Sequence, residues 1–279
     1  MNPVRALAMG LLAAGAVAWA AATAPLSAEQ VGRVRSMSVE LGGASVHALC
    51  TPGPPEVLLM HSGDGRAEAW RPVLERLAGE VGACAYGRPV AHDATRRGEV
   101  RGWYELLDEL RRLHVALGAT SGYTLVGQGL GGMYARLYAA DRPTDVGGLV
   151  FIDPAHEDLP EEMRQGMPPE EWEAWAMERT RPNGDGVRES DLANRALRAR
   201  LPNVPVTVIT ATRRPNGAGW DERFLSQAAR RVHASLLTGM SSSRHVPADG
   251  VGPDVLWESP DFTAAEILRV ARLARAGRR

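Results

Sequence analysis

The chain has 279 residues, 44% of them hydrophobic, with 32 basic and 33 acidic side chains and a net charge of −1. That balance provides no broad basic field, which argues against sequence-independent nucleic-acid binding. Two Cys exclude both a disulfide-stapled mini-protein and a four-Cys zinc site, while the length suits one large domain or two small ones and can bury a sizeable core.

Arg5 is the only charge before Glu29, and an apolar run over 6–24 is followed by small residues up to Ala28. A basic start, an apolar middle and a small-residue exit form the pattern of a signal peptide. The expected cleavage point follows Ala28, with Ala22 second, so 1–28 is set apart from a folding unit of 29–279. The other reading is an uncleaved anchor, because the run approaches the ~20 residues that span a bilayer. Both readings export the remainder of the chain, and membrane contact is expected only through this segment.

Beyond it, residues 36–50 alternate around Gly42-Gly43 and predict an antiparallel hairpin. VLLM at 57–60 reads as a buried strand running into His61-Ser62-Gly63-Asp64-Gly65, and a second run at 81–86 carries Cys84. Trp103, Leu106, Leu107, Leu110, Leu113 and Leu117 recur at helical spacing, with Gly118 as the stop. A strand at 123–126 breaks at Gly127, and a helix is expected over 130–140. The runs 149–152 and 204–210 are apolar with little alternation, as in a parallel sheet covered on both faces. A helix through Phe224 and Leu236, a strand at 245–248 and a final helix with Ser259 as N-cap and Pro260 in the first turn complete the chain. This alternation predicts an α/β fold with a doubly wound, mostly parallel sheet. The acidic, Trp- and Met-bearing segment 157–202 interrupts the rhythm. It reads as a small helical cap over the ligand-binding edge of the sheet, or as a plain surface excursion.

The segment TLVGQGLGG at 124–132 lies between a strand and a helix, where it resembles the Gly-x-Ser-x-Gly nucleophile elbow of the α/β-hydrolase superfamily. The resemblance extends over nearly all of 29–279. Residues 57–63 resemble the strand and loop that supply part of an oxyanion hole. GLVFIDPAHED at 148–158 resembles the segment after strand six of esterase- and lipase-like members, and 250–260 resembles the loop that presents the catalytic His. The resemblance implies a Ser at position 129, where Gly129 stands with no side chain, so no acyl-enzyme can form there. It also implies a His where the loop Gly250-Val251-Gly252 meets Pro253, which can neither give nor accept a proton. His245 remains as a displaced base or as an ordinary strand histidine. Asp153 is the position where some lipases of the superfamily keep their acid, although a turn carboxylate before Pro154 reads equally well. His156 stands close enough in sequence to pair with it.

The fold implied by the resemblance would bring the Gly129 and Leu130 N–H groups opposite those of Ser62 or Gly63, with Gln128 and His156 beside them. Such an arrangement suits a carboxylate or carbonyl oxygen. The leading expectation is a hydrolase-like protein with a degenerate triad that binds a small apolar carboxylate or ester, or a partner, without cofactor or metal. Two catalytic alternatives stay open. One is a lyase, isomerase or cyclase using Asp153, His156 or His245, and the other is an esterase or amidase with Ser62 as nucleophile. The resemblance also places Cys50 beside Cys84 on adjacent antiparallel strands. Export permits a bridge, but two buried thiols are preferred because the geometry between neighbouring strands is restrictive.

Overall fold

The computed structural model describes residues 33–41, 43–61, 66–87, 100–214 and 219–278. The N-terminal segment 1–28 and the Ser62-Gly63 loop lie outside the described residues. Eight strands form one sheet: β1 (Arg35–Leu41), β2 (Ala44–Cys50), β3 (Val57–Met60), β4 (Ala83–Tyr86), β5 (Tyr123–Gln128), β6 (Val146–Ile152), β7 (Val206–Ala211) and β8 (Ser243–Ala248). Their order is β1-β2-β4-β3-β5-β6-β7-β8. β1 and β2 form the expected hairpin, and β2 is antiparallel to β4; every other pairing is parallel.

Helices cover both faces: α1 (Arg71–Leu77), α2 (Trp103–Ala116), α3 (Leu130–Asp141), α4 (Leu159–Met163), α5 (Pro169–Glu178), α6 (Glu189–Ala196), α7 (Glu222–Ser235), α8 (Val255–Glu258) and α9 (Pro260–Gly277). The period-two geometry of a strand divides its side chains between the faces. Leu58, Leu125, Leu149 and Phe151 pack in one core with Leu110 of α2 and Leu137 of α3. Val57, Val126, Val150 and Ile152 pack in the other with Leu74 of α1 and Ile267 of α9. Because each face is dry, these strands read as continuous apolar runs. Strand order reverses at β3 and β5, so the loops leaving their carboxyl ends diverge and open a crevice there.

Ser259 is the N-cap of α9 and Pro260 stands in its first turn, as expected, although the Ser259 side chain makes no capping hydrogen bond; its carbonyl accepts from the Thr263 hydroxyl at 2.9 Å. One expectation is corrected: Cys50 and Cys84 form a disulfide rather than two thiols. They are direct partners in the β2–β4 register, and their Cα atoms are only 4.2 Å apart. That is the close spacing of a non-hydrogen-bonded antiparallel pair, in which side chains approach most nearly. The bridge ties the edge hairpin to the parallel sheet across a sequence separation of 34. Replacing both Cys by Ala is expected to cost about 3–4 kcal/mol, the entropy released to a loop of that length in the unfolded chain. Urea unfolding of the two proteins measures this, and coincident transitions would show the bridge to be dispensable.

Candidate functional site

The turn between β5 and α3 brings bare backbone into close contact. A Cβ on Gly127 would lie 2.2 Å from the Gly131 carbonyl oxygen, and one on Gly131 would lie 2.5 Å from that of Met60. Only glycine permits this backbone contact, and it drives the N-terminus of α3 against the end of β3. At the apex Gly129 has φ 53° and ψ −123°, a conformation strained for any residue with a Cβ. The Gly129 N–H donates to Ile152 O at 3.0 Å, and its carbonyl accepts from Ala155 N at 2.9 Å and Gly132 N at 3.0 Å. This corrects the expectation that the Gly129 amide faces a ligand, because it is used to hold the end of β6.

Asp153 follows β6 and has φ 41°, the one positive value outside glycine among the described residues. Aspartate tolerates this region better than most residues. Its carboxylate is fixed on two sides. Arg214 Nη1 reaches Oδ2 at 2.8 Å and Nη2 reaches Oδ1 at 2.6 Å, while the Ala211 N–H donates to Oδ1 at 3.2 Å. Arg214 also donates to the Ala211 carbonyl. This buried, two-pronged ion pair is the strong form of the interaction.

The expected Asp153–His156 pair does not form. His156 turns instead to its own segment, where its Nδ1 accepts from the Asp158 N–H at 3.1 Å, with Glu157 and Asp158 carboxylates at 3.5 and 3.8 Å. Glu157 is clamped by both terminal nitrogens of Arg136 on α3. Burial lowers the His156 pKa, opposed by the charge of Glu157. With Nδ1 accepting, the proton of the neutral ring sits on Nε2.

His245 is not a displaced base for Asp153 either. It lies on the face of β8 under α7 and bonds to Thr210 Oγ1 through Nε2 at 2.8 Å. The same hydroxyl bonds to His233 Nδ1 at 2.8 Å, and His233 Nε2 meets the Pro154 carbonyl at 2.9 Å. That carbonyl only accepts, so the direction of every link follows. His245 Nε2–H donates to Thr210, Thr210 to His233 Nδ1, and His233 Nε2–H to Pro154. Burial depresses the His233 pKa to about 4, despite the opposing charge of Asp153, so the ring is neutral near pH 7. The chain supports the 153–156 turn from beneath. Sequence reading missed both Arg214 and His233; two Arg after β7 were the only trace of the first.

The Gln128 Nε2 group donates to the Pro253 carbonyl at 2.8 Å. The loop Gly250–Pro253 is thereby tied to the elbow by a backbone oxygen. The Gln128 Oε1 atom is buried without a hydrogen-bond partner.

Above the elbow lies a cavity of about 230 Å³. Gly129 and Leu130 line it together with the 153–156 turn and Leu159 and Pro160 of α4. Segment 157–202 closes it further with Trp175, Arg179 and Glu189. That segment is moored to α3: Tyr134 donates to Asp185 at 2.8 Å and Asn183 to Tyr134 at 3.0 Å. A larger cavity of about 390 Å³ shares His156 but is lined by Arg136, Arg200 and residues 235–240 at the far end of α7. Among the described residues no group of three His, Cys, Asp or Glu is arranged to hold a metal, and no helix is long and apolar enough to cross a membrane.

The strand order, the sharp turn after β5 and the helices on both faces define the α/β-hydrolase fold, and the comparisons with known proteins agree. No known protein family matches the chain by its sequence profile. Monoacylglycerol lipase abhd6-A of Xenopus laevis is 27% identical over 143 residues, 47% of this chain and 42% of that protein. The chain therefore matches less than half the length of that relative. Among solved structures, a bacterial membrane phospholipase A superposes with a TM-score of 0.59 at 19% identity, covering 88% of each chain. A putative lipase of Acinetobacter baumannii gives 0.57 at 14% identity, over 89% of this chain and 94% of that one. Naproxen esterase of Bacillus subtilis gives 0.56 at 13% identity, over 86% and 94%.

Removing the guanidinium from the Arg214–Asp153 pair leaves a buried carboxylate uncompensated. Arg214→Met is expected to lower stability by about 3–5 kcal/mol. Asp153→Asn in the same background should recover part of the loss. Denaturant unfolding of the single and double variants tests this, and additive losses would contradict the pairing.

Proposed function

We propose that this chain uses the α/β-hydrolase scaffold to bind, rather than to cleave, a small apolar carboxylate or ester in the cavity above the elbow. The observation that carries the reading is Gly129 at the apex of the turn, where the resemblance implies a nucleophilic Ser. Without a hydroxyl or thiol at the apex no covalent intermediate can start from it. The surrounding charges support the same reading. Asp153, the position of the relic acid, is paired with Arg214, and among the described residues the imidazole nearest to its carboxylate, His233 at 3.9 Å, is bonded to Thr210 and the Pro154 carbonyl. At Pro253 the group facing the elbow is a carbonyl bonded to Gln128, which has no proton to move.

Export belongs to the same proposal. The apolar segment at 6–24 supports it, and so does the Cys50–Cys84 disulfide, since such bridges persist in oxidising compartments. A second reading, an active hydrolase with Ser62 as nucleophile, is favoured by the lipase and esterase names of the similar proteins.

Turnover of a short-chain p-nitrophenyl ester separates the two. The binding reading predicts hydrolysis no faster than with Gly129→Ala or Ser62→Ala protein. Turnover that disappears in Ser62→Ala would overturn it.

A further inference from the structure

We propose that Arg179 is the anion anchor of the elbow cavity and selects a compact apolar ligand bearing a carboxylate. The proposal rests on the binding reading in taking this cavity as the ligand site, and it adds the group that chooses the ligand.

The walls differ sharply in what they offer. Leu130, Pro154, Ala155, Leu159, Pro160 and Trp175 supply apolar surface. Both acidic groups on the wall already have a cationic partner. Asp153 is held by Arg214 and the Ala211 amide, and Glu189 accepts from Arg179 Nε at 2.8 Å. The donors are not exhausted. A guanidinium carries five N–H groups, and among the described residues only the Nε–H of Arg179 has a protein acceptor. The two terminal amino groups form the planar fork that matches a carboxylate in a bidentate pair. The fork is also held in place. Its side chain is only 13% exposed, and its central carbon sits 5.3 Å from the Trp175 ring centroid, within cation–π range.

His156 adds a neutral donor to the same wall. Its Nδ1 accepts from the Asp158 amide, so the proton is on Nε2, for which no acceptor is found among the described residues. A wall that offers the Arg179 fork and the His156 Nε2–H, with the Asp153 carboxylate already bonded on both oxygens, favours a ligand that accepts. Size narrows the class further. A cavity of about 230 Å³, set against the ≈30 Å³ that one water occupies in the liquid, holds about eight waters' worth of a ligand. That describes a single-ring or short-chain carboxylic acid. Glu189 opens α6 and shares Arg179, so it also limits how tightly an anion is held.

Calorimetric titration of the full-length protein with phenylacetate, and with phenylacetamide as its neutral counterpart, tests the proposal. Phenylacetate is expected to bind at least roughly tenfold more tightly than the amide, as one charge-assisted pair provides. Arg179→Met should weaken phenylacetate by roughly 10- to 100-fold and leave the amide unchanged. Arg179→Lys, which keeps the charge but loses the fork, should fall between. Glu189→Gln retains an acceptor for Nε and removes the competing charge, so it should tighten phenylacetate. Equal affinity for acid and amide, or phenylacetate binding indifferent to both Arg179 variants, would overturn the anchor. Ester turnover measured on the same samples keeps the two ideas apart. Hydrolysis would end the non-hydrolytic reading while an acid-over-amide preference still upheld Arg179. No hydrolysis together with no acid preference would end the anchor alone.

Discussion

The architecture depends on one steric constraint, the contact of bare backbone where α3 leaves the sheet. Gly127 and Gly131 admit no Cβ without collision against main-chain oxygen, and a Cβ on Gly132 would come within 2.7 Å of the Pro154 side chain. These contacts press α3 simultaneously against the ends of β3 and β6. They also force the intervening residue into φ 53°. In an enzyme of this fold, such a turn lifts a nucleophile above the sheet and costs roughly 1–3 kcal/mol of backbone strain when that residue has a Cβ. With glycine at the apex the turn keeps its geometry without the strain. The scaffold therefore does not depend on a catalytic side chain for its shape.

The charges beside the turn follow from that packing. The close seat of α3 brings the 153–156 segment under the cavity, and its positive-φ residue Asp153 must be held from several directions. Arg214 grips the carboxylate, Ala211 caps it, and the His245–Thr210–His233 chain ends on the neighbouring Pro154 carbonyl. These interactions fix the backbone of the turn and engage the Asp153 carboxylate on both oxygens. The groups that retain unused donors, Arg179 and His156, lie on the wall of the cavity. Both residues belong to the 153–156 turn and the segment that covers it rather than to the elbow itself.

Much of the fold is legible in the chain because local pattern and burial agree. VLLM at 57–60 is apolar throughout because both faces of β3 are dry, and Gly118 stops the helix that Leu106, Leu110 and Leu113 define. The tight turn is legible because its glycines cluster within six residues of the chain, Gly127 meeting the Gly131 carbonyl within the turn itself. The ion pair between Asp153 and Arg214 is not, since 61 residues separate them and nothing local marks which of two adjacent Arg turns inward. The disulfide is not legible for a related reason: it depends on a register that sets Cys50 directly opposite Cys84, which neither strand encodes alone. His245 and His156 carried chemical promise as residue types, yet their roles are set by what packs around them. Thr210 claims the first and the Asp158 amide the second.

The central claim is that the elbow cannot form a covalent intermediate. Intact-mass measurement after incubation with a serine-directed fluorophosphonate tests it most directly. The account predicts no mass increase on the folded protein. A stoichiometric adduct, mapped by peptide analysis to a serine such as Ser62, would contradict it.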